Sequence, residues 1–226
     1  MSNLSELEDI LKIRFKDKDL LLTAVTHRSF LNESTAPESN ERLEFLGDSI
    51  LGLLTSVFLY QRFPKAPEGE LTAIRSLLVR TTTLAEVARE INLGDYLRMS
   101  RGERQSGGAE NDALLADGTE ALIGAIFLDQ GPQSVEGFLR TYLFPKVSEI
   151  EKSGSIADFK NQLQESIQEK YKELPVYKVI KTSGPEHKRI FIVGVWVKGA
   201  LLGQGEGSSK REAQQNAAKE ALKKAL

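Results

Sequence analysis
Along residues 1–150 the apolar positions recur at helical spacing, and after residue 157 the pattern shifts toward alternation. Ser5 and Glu8 stand at capping-box spacing and predict a first helix from Leu4 to about Arg14. Asp19 to Phe30 carries a second apolar stretch, and the turn formers from Ser34 to Asn40, with Pro37, predict a loop. Asn40 is placed to cap a long helix that runs to about Phe63, where Pro64 stops it. After a loop from Pro64 to Gly69, a helix is expected over Glu70–Arg80. Thr83 and Glu86 predict a capping box for the next helix, which Gly94 ends. Ser100 to Asp112 is Gly-rich and polar and predicts a mobile loop. Apolar helices are expected over Ala113–Gln130 and Val135–Ile150. No segment here alternates as a strand does.

The short polar stretch 151–156 reads as a linker. Beyond it, Phe159, Leu163, Ile167 and Tyr171 form one stripe of a helix over Asp158–Lys172. Val176–Thr182 is β-branched and predicts a strand. Phe191, Val193, Val195 and Val197 alternate with their neighbours and predict a second. Lys198-Gly199 is a turn signal, Leu201–Glu206 a weaker third strand, and Ser208 or Ser209 the cap of a C-terminal helix. The order is α-β-β-β-α.

Composition narrows the chemistry. A chain of 226 residues, 40% hydrophobic and 27% charged, suits one large or two modest globular domains. Cysteine is absent, which excludes disulfides, thiol nucleophiles and thiolate metal sites; His27 and His187 are too few for a multi-histidine metal site in one chain. The N-terminus lacks the basic start and apolar core of a signal peptide. The longest nearly apolar run, Ile50–Tyr60, is 11 residues, short of the roughly 20 a membrane span needs. A soluble, cytoplasmic protein with no membrane association is expected. The net charge of −2 is unevenly spread: residues 1–152 hold 17 basic and 24 acidic side chains, residues 153–226 hold 13 and 8. A basic tail suits a polyanion, and an acidic body suits cations.

Leu43–Tyr60 contains only two charges, Glu44 and Asp48, with Glu41 one turn earlier. At about 100° per residue these three carboxylates fall in a sector roughly 60° wide. Ala113–Leu128 repeats the theme, with Asp117 and Glu120 three apart on one face as its only charges. Carboxylates on apolar helices raise one another's pKa and need a compensating cation, shared protons or a metal. Oxygen-only ligands suit hard cations such as Mg²⁺ or Mn²⁺, and Mg²⁺ works with phosphates. The plainer alternative is that these are solvated helix positions. Near the C-terminus, Lys210 and Arg211 occupy the first turn of a helix behind a Gly-rich loop, where a phosphate would be favoured; a solvated charge cluster fits the same residues equally well. His187, after Gly184-Pro185, sits in a turn from which it could reach a nucleic-acid groove; taken alone it reads as a surface histidine.

Asn40-Glu-Arg-Leu-Glu-Phe-Leu-Gly-Asp48 resembles the signature of ribonuclease III, and Gly184-Pro-x-His187 with Gly207-Ser-Ser-Lys-Arg-x-Ala213 resembles a double-stranded RNA-binding domain. The resemblance spans nearly the whole chain. It implies two domains: an all-α endonuclease domain at 1–150, then a small α+β (α-β-β-β-α) RNA-binding domain at 157–226. It implies Mg²⁺-dependent hydrolysis of double-stranded RNA, with Mn²⁺ as a substitute, leaving 5′-phosphate and 3′-hydroxyl ends. No organic cofactor is implied; the products are processed precursor RNAs, ribosomal precursors included. By match of position, Glu44, Asp117 and Glu120 bind metal, Asp48 and Glu120 are catalytic, and Glu41 and Glu68 line an acidic valley. Phe45 matches an aromatic that docks into the partner of a homodimer. Gln164, Glu165, Gln168 and His187 match minor-groove contacts, and Lys210 and Arg211 a phosphate clamp. Two positions depart from the family pattern. The clamp's third polar or charged position is Gln214, and Asn111–Asp117 lacks a usual basic residue and Ser while keeping Asp117. The competing expectation is a non-catalytic RNA-binding scaffold. A di-iron-type bundle is disfavoured because no helix carries a Glu-x-x-His pair.

Overall fold
The computed structural model describes residues 4–34, 38–152, 159–185 and 189–225, with the side chains of residues 151, 152, 161, 211 and 225 outside that description. The backbone divides into two compact units, Met1–Ser153 and Gly154–Leu226.

The first unit is helical: α1 (Leu4–Leu11), α2 (Lys18–Ala24), α3 (Glu41–Arg62), α4 (Glu68–Leu78), α5 (Thr81–Glu90), α6 (Leu93–Tyr96), α7 (Arg101–Gln105), α8 (Asp112–Gln130), α9 (Pro132–Tyr142) and α10 (Val147–Lys152). Its centre is α8, buried on most sides, with Leu115, Leu122, Ile123 and Ile126 excluded from solvent. Asn111 starts α8 by accepting hydrogen bonds from the Ala113 and Leu114 amides at 2.9 and 3.3 Å. Gly131, with φ of 82°, ends it, and Pro132 at the first position of α9 starts the next helix. Helix α3 packs along α8. Its 22 residues exceed the apolar run read from the sequence. Among the described helices it is the one long and apolar enough to cross a membrane by length and composition, a third of that window being buried inside the protein.

Several local expectations are corrected. Ser5 lies inside α1, which begins at Leu4, and Glu8 turns inward. It is 2% exposed, and its carboxylate accepts from the Phe15 amide at 2.7 Å and from Lys18 Nζ at 2.5 Å. Burial raises its pKa, but Lys18, the Phe15 amide and Arg14 outweigh burial and hold it below the ordinary value. Asn40 precedes α3 without a side-chain cap bond. Helix α5 begins two residues before Thr83, whose hydroxyl donates to the Leu77 carbonyl at 2.8 Å, so the Thr83–Glu86 box does not form. The stretch from Ser100 to Asp112 is a short helix, α7, capped by Ser100, followed by a 3₁₀ turn over Gly108–Glu110. The helix expected over 135–150 is interrupted at Phe144–Lys146, where Pro145 sits. A parallel bridge joins Thr26 to Arg98. Glu151 and Lys152, expected in the linker, close α10; residues 153–156 lie outside the described residues.

The second unit holds α11 (Phe159–Tyr171), β1 (Val176–Ser183), β2 (Ile190–Val197), β3 (Ala200–Gly207) and α12 (Lys210–Ala225). The strands form an antiparallel sheet in the order β1-β2-β3. Lys198 and Gly199 both take positive φ, 51° and 80°, which closes the β2–β3 hairpin. Leu163, Ile167, Val195, Val197 and the alanines of α12 make the core. Gly203, Gly205 and Gly207 alternate along the face of β3 beneath α12, where Ala213, Ala217 and Ala221 are fully buried. A Cβ on Gly205 would overlap the α12 backbone, so strand and helix touch main chain to main chain. Ser209 accepts from the Glu212 amide at 3.2 Å, and Glu212 accepts from the Ser208 amide at 2.8 Å, which caps α12.

Candidate active site
Two glycines set the geometry of the acidic site. A Cβ on Gly47 of α3 would overlap the Glu120 carbonyl, and one on Gly124 of α8 would overlap the Leu43 carbonyl. The helices therefore cross with their backbones in contact, which only glycine permits. Glu44 lies three residues before Gly47, and Glu120 lies four before Gly124, with Asp117 one turn earlier on the same face. One carboxylate oxygen from each of Glu44, Asp117 and Glu120 comes within 4.8 Å of the other two. All three side chains are half-buried.

Such crowding shows in the acidities. Burial pushes the Glu120 carboxyl up to about 7, and Asp48, Glu44 and Asp117 add to the shift. Glu44 is raised by burial and then by Asp117, Glu41 and Asp48. Asp117 is raised by burial, with His27 pulling the other way. Three hard oxygen donors, held together at a charge cost, fit a divalent cation.

The other expected acidic residues are placed differently. Asp48 is exposed on α3, close enough to raise Glu120 and Glu44. Glu41 accepts from Ser39 Oγ at 2.8 Å and faces Arg28 at 3.8 Å. Glu68 stands apart from the three-carboxylate cluster: it accepts from Thr72 Oγ1 at 2.9 Å and lines a groove of about 430 Å³ with Val57, Tyr60 and Arg75. Phe45 is 78% exposed, and Leu53, Val57 and Tyr60 continue an apolar stripe along the same side of α3.

Three contributors went unread in the sequence. Gly47 and Gly124 act through a contact between distant segments, signalled only by glycine inside apolar helices. His27 enters the sequence reading only as one of two histidines, too few for a multi-histidine metal site. Its amide donates to the Arg98 carbonyl at 2.8 Å, and its Nδ1 accepts from the Ser29 amide at 3.3 Å.

On the second unit, Gln164, Glu165 and Gln168 lie on the exposed side of α11, and Lys210 opens α12 exposed to solvent. Arg211 is on α12 with its side chain outside those described, and His187 lies outside the described residues.

Comparisons with known proteins match both units. Residues 17–147 match a model of the Ribonuclease-III-like family, and residues 159–225 match the double-stranded RNA binding motif. The chain is 45% identical to a Ribonuclease 3 from Magnetococcus marinus, covering 98% of this chain and 92% of that protein. Identity to a Ribonuclease 3 from Pelotomaculum thermopropionicum is 44%, with the same coverage of each chain. A solved nuclease domain of ribonuclease III from Campylobacter jejuni superposes with a TM-score of 0.59 at 40% identity, covering 63% of this chain and 99% of that one. With an acidic helical unit and an RNA-binding unit matched in the same order, the chain belongs to the ribonuclease III family, the endoribonucleases that cut double-stranded RNA.

Proposed function
We propose that Glu44, Asp117 and Glu120 hold a divalent ion, Mg²⁺ with Mn²⁺ as a substitute, and that Asp48 and Glu120 are the catalytic carboxylates. The observation that carries this reading is the meeting of three carboxylate oxygens within 4.8 Å, with Glu120 raised to about 7. When bound, the ion supplies Lewis-acid activation of water and of the scissile phosphate. Asp48 and Glu120 orient the attacking water and take up its proton. The water oxygen bonds to phosphorus as the bond to the 3′ oxygen breaks, and the departing 3′ oxygen takes a proton from solvent, leaving a 5′-phosphate and a 3′-hydroxyl. Glu41 forms the rim of the same acidic face.

The exposed stripe of Phe45, Leu53, Val57 and Tyr60 supports a homodimer, because soluble chains seldom leave so much aligned apolar surface uncovered. The Campylobacter jejuni nuclease domain has a region involved in dimer formation. Glu68, beside Val57 and Tyr60, belongs to that dimer side. In this reading Gln164, Glu165, Gln168 and His187 meet the minor groove, and Lys210 and Arg211 meet phosphates. The substrates are structured precursor RNAs of the cytoplasm, ribosomal precursors among them.

The test is cleavage of a labelled RNA duplex with Mg²⁺ by wild type and Glu120→Ala. Wild type is expected to cut, and the variant to bind the duplex and leave it intact. A wild type that binds without cutting in either Mg²⁺ or Mn²⁺ would instead make the protein a binding scaffold.

A further inference from the structure
The phosphate-contacting row on α12 has a gap in its charge. Lys210 opens the helix, and one turn on, at residue 214, stands an uncharged glutamine. The neighbouring helix fills that place. Lys160, in the first turn of α11, donates from Nζ to Gln214 Oε1 at 2.9 Å. Its backbone amide donates to Gln215 Oε1 at 3.2 Å, which fastens the start of α11 to α12. The ammonium also lies 5.0 Å from the Tyr177 ring centroid, so an aromatic face and an amide oxygen steer it without neutralising it.

Position does the rest. Lys160 is one turn before Gln164, itself one turn before Gln168, so the three form a continuous row on α11. Gln214 is one turn after Lys210 on α12. The Lys160–Gln214 hydrogen bond therefore joins the row assigned to the minor groove to the row assigned to phosphates. Among the described residues Lys160 Nζ meets an uncharged amide oxygen and an aromatic ring.

We propose that Lys160 is a third phosphate-binding cation of the RNA-binding unit, delivered from α11 to the place that Gln214 leaves uncharged on α12. This rests on the reading of Lys210 and Arg211 as phosphate contacts. A cation that neutralises one phosphate releases about one counterion, so its loss flattens the dependence of log K on log salt by about one.

The experiment is binding of the full chain to a blunt RNA duplex of about 20 base pairs, in chelator so that nothing is cut, across a KCl series. Lys160→Gln is expected to weaken binding several-fold and to lower the salt slope by about one, while Lys160→Arg keeps the slope. Adding Gln214→Lys to Lys160→Gln is expected to restore it. An unchanged slope in Lys160→Gln, with or without a loss of melting temperature, overturns the proposal and leaves Lys160 as a staple between two helices. A Lys210→Gln variant distinguishes the two levels: if it too leaves the slope unchanged, the reading of α12 as the phosphate row falls, and this proposal with it.

Discussion

Glu120 holds its proton to about pH 7, and replacing it with glutamine turns that acidity into a stability measurement. Without metal, the carboxyl has an ordinary value of 4.5 in the unfolded chain and about 7 in the folded one. Well below 4.5 it is protonated in both states and contributes nothing. Between 4.5 and 7 the folded chain keeps a proton that the unfolded chain has lost, so stability falls as pH rises through this window. Above 7 the whole penalty is present: at roughly 1.4 kcal/mol per pH unit the shift corresponds to at most about 3 kcal/mol, which solvent screening of this half-buried carboxylate reduces to about 1–2 kcal/mol. Glu120→Gln keeps the shape and removes the charge. In chelator at about pH 8 the variant is expected to be more stable than wild type by about 1–2 kcal/mol, shrinking to under about 0.5 kcal/mol at about pH 5. Saturating Mg²⁺ should raise wild type and barely move the variant. Urea unfolding followed by far-ultraviolet circular dichroism reads this at fixed protein concentration. Fluorescence would not, because the single tryptophan, Trp196, lies on β2 in the other unit. Equal stabilities at both pH values would refute the argument, since Glu120 would then be hydrated and at ease as an anion.

Three further outcomes follow from the packing. Glu8→Ala strands the buried Phe15 amide and leaves Lys18 without its partner, and should cost about 2–4 kcal/mol in chemical unfolding. Phe45→Glu places a charge in the exposed stripe of α3; sedimentation should show a shift toward monomer, with the helical signal unchanged. Gly205→Ala forces β3 off the α12 backbone and should destabilise the second unit by about 1–3 kcal/mol or more, seen as an earlier loss of Trp196 fluorescence, with cleavage falling as duplex binding falls.

What could be read from the sequence followed from how far each signal reaches. The α-β-β-β-α order was legible because period and turn signals are local: Lys198-Gly199 needs only its own dihedrals to make a turn. The acidic faces were legible because Glu44 with Asp48, and Asp117 with Glu120, are the only charges in long apolar runs. Caps were less legible. Thr83 sits at capping spacing, yet its hydroxyl found the Leu77 carbonyl six residues back, a competitor that capping spacing does not report. The glycines of residues 100–112 suggested looseness, but Gly108 packs against Glu103 and Met99, and Ser100 caps a helical turn. That Glu44 and Glu120 share one site depends on α3 meeting α8, which no local pattern reports. His27 is placed by the Thr26–Arg98 bridge, which joins segments some 70 residues apart, as the bond from Ser100 to Ser29 also does.

The contact at Gly47 and Gly124 also bears on how such a protein can change over time. The spacing of its acidic groups is gauged by peptide units, which are the same in every sequence, and not by the bulk of surrounding side chains. Residues such as Leu51, Leu122 or Ile126 can then drift among similar volumes, or be redesigned for heat tolerance, without retuning the distance between the two helices. At positions 47 and 124 themselves no gradual path exists, because the smallest available step, one methyl group, already collides with a carbonyl. The interior is thus free to vary around a gap that has a single permitted width.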